Sequence, residues 1–196
     1  MKIETITNNL KPKLRSFCQK AKALGYVNNS SLDAMKFDWC QEIGKWLCAI
    51  EKDEIVAVAG CHPLPEVSKN AWRIMFRGCE LPRIDKFKGL GKGDWNSITQ
   101  REMIPHFINY CPTNEIYITT NIDNEHSNGK ASRNHRLMGL LAKQGILDWH
   151  SDITLYYTEQ TVWKLNIEEY TRRRNLLGGK YVGELETSKR SKNKSR

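Results

Sequence analysis

The sequence contains no long apolar segment. No part of it approaches the ~18–20 consecutive apolar residues that a transmembrane helix needs, so no membrane span is predicted. The first residues, MKIETITNNLKPKL, also lack the apolar stretch of a secretory signal peptide. We therefore expect a cytoplasmic protein that makes no contact with a membrane.

The sequence also lacks paired cysteines. Its six cysteines are scattered and form no C-x-x-C motif. In a reducing compartment, a cysteine within an apolar run, such as Cys61 at the end of IVAVAGC, behaves as a small buried apolar side chain. The sequence therefore favours neither a disulfide framework nor a zinc site, and it predicts no metal.

Acidic residues are scarce in the last part of the sequence. Residues 171–196 contain nine Lys/Arg and two Glu, a balance of +7, whereas the formal net charge of all 196 residues is +9. A chain of this length predicts one main domain. We expect a domain over residues 1–166, a C-terminal helix and extension over 167–186, and a basic, disordered tail over 187–196.

Apolar spacing predicts the order of helices and strands. The clearest element is a hairpin, in which WLCAIE and EIVAVAGC are joined across the polar residues 51–54. The other predicted strands cover residues 3–7, 71–80, 115–121 and 152–165. The predicted helices begin near Pro12, Leu32, Ser97, Ser132 and Ile167. This order predicts an α/β protein with a mixed sheet and helices on its faces.

Three segments are similar to parts of one known family. They are the hairpin WLCAIEKDEIVAVAG, the stretch KFKGLGKG at residues 86–93, and the helical residues 134–146 that start at an Asn and end at Gly-Ile. Over residues 2–165 the chain resembles the GNAT (acyl-CoA N-acyltransferase) superfamily, in which these positions hold two central strands, the pyrophosphate loop and the following helix. The stretches GYVNNSSL and YITTN also resemble GNAT-like proteins of large tailed bacteriophages.

The resemblance implies a GNAT fold and a cofactor, which would be acetyl-CoA or another acyl-CoA. A pyrophosphate needs converging backbone N–H groups, which glycines leave accessible, and nearby lysines add positive charge. The cofactor-binding residues that the resemblance implies are Lys88, Gly89, Gly91, Lys92, Gly93 and Asn134. The alternatives are a basic surface loop for residues 86–93 and a helix cap for Asn134.

The resemblance also implies a carboxylate base near the end of the fourth strand. Glu80 occupies such a position and would accept a proton from the attacking amine. His62 and His106 are alternative bases, although histidines in such positions are more often structural. Cys79 is a weaker candidate for a nucleophile, because no partner His is implied by position.

A general acid is missing from its usual place. The family often has a Tyr four residues before the Gly that ends the helix, where it protonates the departing thiolate, and this sequence has Leu141 there. The nearest candidates for the acid are Tyr156 and Tyr157, on the predicted strand that follows. Neighbouring residues of a strand point to opposite faces, so at most one of the two would face the site.

These features leave three functions open. The first is an acyl-CoA-dependent N-acyltransferase that acts on an unknown amine. The second is a protein that binds or modifies nucleic acid, because the basic residues within 187–196 would bind phosphates without sequence preference. The third is a binding or structural component that has the same scaffold but has lost catalysis. Two departures from the family suggest it: Leu141 in the place of the usual Tyr, and Lys86 in the place of the Gln or Arg that usually begins the pyrophosphate loop.

Overall fold

The computed structural model describes residues 1–23, 44–78, 102–121, 133–155 and 158–176. The strands in these ranges are β1 (Lys2–Thr5), β2 (Lys45–Glu51), β3 (Glu54–Pro63), β4 (Trp72–Gly78), β5 (Ile116–Asn121), β6 (Leu147–Leu155) and β7 (Thr158–Leu165). The helices are a short 3-10 helix (Asn8–Leu10), α1 (Lys11–Ala23), α2 (Ile104–Tyr110), α3 (Arg133–Lys143) and α4 (167–176). The predicted helix near Leu32 lies outside the described residues.

The seven strands form one mixed sheet in the order β1-β2-β3-β4-β5-β7-β6. β4 and β5 are parallel, and the other described pairs are antiparallel. The predicted β2–β3 hairpin is confirmed, and its two turn residues, Lys52 and Asp53, both have positive φ angles of 50° and 66°. This combination is typical of the tight hairpin turn that matches the twist of the flanking strands. The predicted fold class, a mixed sheet with helices on its faces, is therefore confirmed.

One predicted strand is wrong. Residues 152–165 do not form a single strand, because β6 and β7 are antiparallel neighbours with Leu155 paired to Thr158. The run DITLYYTEQTVWKL has strand-forming residues throughout and no Gly, Pro or Asn at the reversal, so composition does not mark a turn there. Tyr156 and Tyr157 thus belong to the connection between two strands, and they lie outside the described residues.

α1 covers one face of the sheet, which we call the α1 face. Leu14 and Phe17, at helical spacing on α1, are buried against Trp46 and Val58 of the central hairpin. The indole of Trp46 lies directly over Gly60, where an added Cβ would be only 2.4 Å from Cδ2 of the indole. A larger residue at position 60 would therefore displace the tryptophan that α1 packs on.

α2, α3 and α4 cover the opposite face, which we call the α2/α3 face. Phe107 of α2, Met138 and Leu141 of α3, and Tyr170 of α4 belong to one buried cluster with Ile118 of β5. Burial of side chains of this size contributes about 1.5–3 kcal/mol each relative to exposure. α4 is thus anchored in the same core as α2 and α3.

α3 ends where the sequence predicts. Gly145 has a φ angle of 75°, a conformation that glycine adopts without steric cost. The N–H of Ile146 donates to the Leu141 carbonyl (3.1 Å), and the N–H of Gly145 donates to the Ala142 carbonyl (2.9 Å). These two bonds are those of a Schellman C-cap, so the predicted helix stop is confirmed.

The described cysteines are reduced and buried. They are Cys18, Cys48, Cys61 and Cys111. Burial raises the pKa of the Cys18 and Cys48 thiols to about 11, so both stay protonated at neutral pH. The prediction that such cysteines are buried is confirmed for these four.

Candidate active site

The parallel strands β4 and β5 diverge toward their C-terminal ends. Within the described strands, they pair over Trp72–Ile74 and Ile116–Ile118. Beyond these residues β4 continues along β3 to Gly78, while β5 continues along β7 to Asn121. Among the described residues, β4 beyond Ile74 and β5 beyond Ile118 are not paired with each other, which leaves a gap between the two facing edges.

A β-bulge in β4 adjoins this gap. Ala59 pairs with Phe76 and Val58 pairs with Gly78, so Arg77 is an extra residue on the β4 side. A bulge bends its strand and increases the local twist, and bulges are common next to active sites. The bulge thus lies at the end of β4 that has separated from β5.

The gap is at the carboxyl end of two parallel strands, where open α/β sheets bind their ligands. The chain passes from β4 to α2 and from β5 to α3, so each helix follows one of the diverging strands. α3 starts at Arg133, which places the backbone of Asn134 in its first turn. The N-terminal end of a helix favours anions, because its first N–H groups have no partner within the helix.

The other site residues predicted from sequence lie outside the described residues. They are Glu80, Lys88, Gly89, Gly91, Lys92, Gly93, Tyr156 and Tyr157. Glu80 follows the last residue of β4, Gly78, by two positions. The side chain of Asn134 is likewise outside the described part of the chain.

The alternative base His62 is not brought to the gap. His62 is buried opposite Arg73, at the end where β4 is still paired with β5, and its Nδ1–H donates to the Pro63 carbonyl (2.7 Å). His106 is exposed on α2. These positions favour structural and solvated roles for the two histidines. Leu141, in the place of the usual acid, is a core residue with 4% of its surface exposed.

A polar cluster fixes the start of α3 to the sheet. Trp163 Nε1–H on β7 donates to the Thr120 hydroxyl (3.0 Å), and that hydroxyl lies 3.4 Å from His135 Nδ1. The rings of His135 and Trp163 are in contact, with centroids 5.6 Å apart. His135 is therefore packed against the sheet, whereas its first-turn position alone is compatible with a solvated side chain. No sequence pattern indicates the Thr120 interactions, since they join residues from three separate elements.

The described residues contain neither a candidate metal site nor a candidate membrane-spanning helix. Among them, no group of three or more His, Cys, Asp or Glu side chains is placed to hold a metal ion. None of the helices in these ranges is long and apolar enough to span a bilayer.

Comparison with known proteins gives matches in structure and none in sequence. No family model matches the chain, and no curated protein is similar to it. A protein assigned to the GNAT family of acetyltransferases, from Desulfovibrio desulfuricans, has a TM-score of 0.51 and 10% identity, and the match covers 83% of this chain and 96% of that chain.

Two aminoglycoside 6'-N-acetyltransferases are similar to the same extent. The enzyme from Enterococcus faecium has a TM-score of 0.51 and 12% identity, with 83% of this chain and 95% of that chain covered. The other, crystallised with coenzyme A, has a TM-score of 0.50 and 15% identity, with the same coverage of 83% and 95%.

At identities of 10–15%, these matches show a common fold, and the chemistry of this chain must be argued from its own residues. The sheet with its single described parallel pair, the gap between β4 and β5, and the near-complete coverage of these structures agree with one another. The chain has the fold of the GNAT acetyltransferases.

Proposed function

We propose that the protein is an acyl-CoA-dependent N-acyltransferase. One observation carries this proposal: β4 and β5 separate beyond Ile74 and Ile118, in a sheet of the GNAT fold. In the described part of the chain these two edges do not pair with each other beyond that point, and an extended ligand that carries amide groups can form hydrogen bonds with strand edges of this kind. The pantetheine arm of coenzyme A is such a ligand. A structural neighbour that was crystallised with coenzyme A supports this choice of cofactor.

The cofactor's pyrophosphate would bind at residues 88–93, between β4 and α2. Three glycines and two lysines in that segment suit a doubly charged phosphate group, because small residues let backbone N–H groups approach it. Asn134, in the first turn of α3, would contact the cofactor from the other side of the gap. Both sequence assignments thus concern segments that follow the diverging strands.

The chemistry needs one base and one acid. The amine nitrogen attacks the thioester carbonyl, so a C–N bond forms, the C–S bond breaks, and the coenzyme leaves as a thiolate. We assign the base that takes the amine proton to Glu80, which follows the bulged end of β4. We assign the acid that protonates the thiolate to Tyr156 or Tyr157, because Leu141 has no proton to give.

Binding of acetyl-CoA tests the proposal directly. We expect acetyl-CoA at millimolar concentration to raise the melting temperature of the full chain, since a ligand at about 100 times its Kd adds about 2.7 kcal/mol to the free energy of unfolding. Calorimetric titration with acetyl-CoA should then give a saturable heat. An unchanged melting temperature together with no heat of binding would refute the proposed cofactor.

A pair of glycine variants locates the binding. Gly91→Leu should abolish the shift without unfolding the domain, because a side chain there would block the backbone N–H groups from the phosphate. Gly139→Ala is the matched control: a Cβ at this position on α3 meets no atom within 4 Å, so the variant should fold and bind as the parent does. Equal loss of binding in both variants would contradict the assignment to residues 88–93.

The basic tail supports a second candidate function. Five Lys/Arg and no acidic residue within residues 187–196 give this tail more than half of the formal net charge of +9, which favours contact with nucleic-acid phosphates. This candidate is compatible with acyl transfer, because the tail follows the GNAT-like part of the chain.

A further inference from the structure

Two consecutive threonines on β5 have opposite roles. Thr120 points to the α2/α3 face, where its hydroxyl receives the Trp163 N–H and meets His135. Thr119 points to the α1 face, on the side of its strand neighbour Tyr117. The two threonines therefore have the same side chain in the same strand, and Thr120 has a structural role in the core.

The Thr119 hydroxyl has no hydrogen-bond partner in the described structure. Its Oγ1 atom is inaccessible to solvent, although the side chain as a whole is half-buried. A buried hydroxyl without a partner is unfavourable, because the group gives up its bonds to water and gains nothing in return. Such a group in a native protein calls for an explanation, and a functional contact with a ligand is one such explanation.

The position of Thr119 indicates which ligand. Ile118 is the last residue of β5 that pairs with β4, so Thr119 is the first residue at the vertex of the gap. α3, whose first turn holds the proposed cofactor contact Asn134, packs on the other face of the sheet. A thioester held in the gap between β4 and β5 would therefore lie next to Thr119.

We infer that the Thr119 hydroxyl donates a hydrogen bond to the carbonyl oxygen of the acyl group on the bound cofactor. Staggered positions of a threonine hydroxyl differ by a rotation of about 120° about χ1, and the inference requires such a rotation to turn the buried Oγ1 toward the gap. The bond holds the thioester carbonyl in the gap and polarises it toward attack. The inference rests on the proposed acyl-CoA function and adds a residue that distinguishes acyl-CoA from free CoA.

The test compares acetyl-CoA with CoA, because CoA lacks the acyl carbonyl and shares everything else. Both Kd values are measured by calorimetric titration of the full chain. Thr119→Val, which keeps the shape and removes the hydroxyl, should weaken acetyl-CoA about 3- to 10-fold, the range of one neutral hydrogen bond, and leave the CoA affinity within about two-fold. Thr119→Ser should recover most of the preference for acetyl-CoA.

The melting temperature of the unliganded variants separates a ligand contact from a structural one. Thr119→Val should melt at or above the parent's temperature, since it removes a buried group that has no partner. Thr120→Val is the matched control and should melt lower, because Trp163 Nε1–H loses its acceptor, while the ratio of the two Kd values stays at the parent's.

Three results would overturn the inference. The first is a Thr119→Val variant that binds both ligands as the parent does. The second is a Thr119→Val variant that binds acetyl-CoA and CoA equally more weakly than the parent, or that melts at a temperature as low as that of Thr120→Val. Either result would show that the Thr119 hydroxyl has a structural role. The third is a parent that binds neither acetyl-CoA nor CoA, which rejects the proposed function and this inference with it.

Discussion

At the scale of single residues, the sequence identifies candidate site residues, but it does not show their burial or their hydrogen-bond partners. Leu141 stands where the family often has its acid, and it is buried in the same core cluster as Ile118. The contrast between Thr119 and Thr120 is not predictable from sequence, because alternation along a strand assigns the two faces and says nothing of hydrogen-bond partners.

The missing acid leads to a prediction for the catalytic side chains. With acetyl-CoA and a panel of amines, Glu80→Gln and one of the variants Tyr156→Phe and Tyr157→Phe should each lower turnover about 10²–10⁴-fold, the range typical of general acid–base catalysis. Steady-state rates give the effect, and titration with CoA should show unchanged binding. Since the two tyrosines connect β6 to β7, strand alternation no longer decides which of them faces the gap.

The turnover of each variant tests the proposed base and the proposed acid separately. Parental turnover in both Phe variants would remove the tyrosines as acids and leave the thiolate to depart unaided or to another donor. Parental turnover in Glu80→Gln would remove the proposed base. A parent that binds acetyl-CoA and transfers nothing to any amine would favour the non-catalytic function of the scaffold.

At the scale of elements, apolar periodicity predicts most strands and helices, and it fails where no turn residue marks a reversal. The β2–β3 hairpin is recognisable because polar residues interrupt two β-rich runs, whereas β6 and β7 are joined through strand-forming residues. The charged helix α4 is also predicted correctly. Its start is capped by Asn166, whose side-chain oxygen accepts the N–H of Glu169 (3.1 Å).

Glu169 links α4 to the end of α3. Its carboxylate accepts hydrogen bonds from Arg172 and Arg173, and Arg173 also donates to the Gln144 carbonyl (2.7 Å). The bonds from Arg172, followed by those from Arg173, lower the pKa of Glu169 from 4.5 to about 2. A lowered carboxyl pKa stabilises the folded state above the unfolded pKa, and that contribution is lost as the pH falls through the folded pKa.

The pH dependence of stability tests this link. Glu169→Gln should melt below the parent at about pH 6, and the difference should shrink as the pH falls from about 4.5 toward about 2, where the parent's carboxyl takes up its proton. Glu168→Gln, an exposed residue of the same helix, removes the same charge and is the control. Melting curves across this range check both variants. A constant difference between Glu169→Gln and the parent would contradict the ion-pair explanation.

At the scale of the whole molecule, the fold is predictable from sequence and the substrate is not. The mixed sheet follows from the alternation of apolar runs and from the three similar segments, which are local features. The gap between β4 and β5 depends on where a parallel pairing ends, a property of two strands that are distant in sequence. In the proposed function, side chains around that gap would select the acceptor amine, and no sequence pattern reports their arrangement.

The uneven charge of the chain gives the last prediction. Residues 188–196 contain five Lys/Arg and no large apolar side chain, so their deletion should leave the melting temperature and the acetyl-CoA affinity unchanged. Affinity for a DNA or RNA oligonucleotide should fall, and the dependence of log K on log salt should become shallower by about 0.7–0.9 for each phosphate that the protein no longer neutralises. A full-length variant with these five residues changed to Gln separates charge from length and should behave like the deletion. Equal oligonucleotide binding by the parent, the deletion and the Gln variant would exclude a nucleic-acid role for this segment.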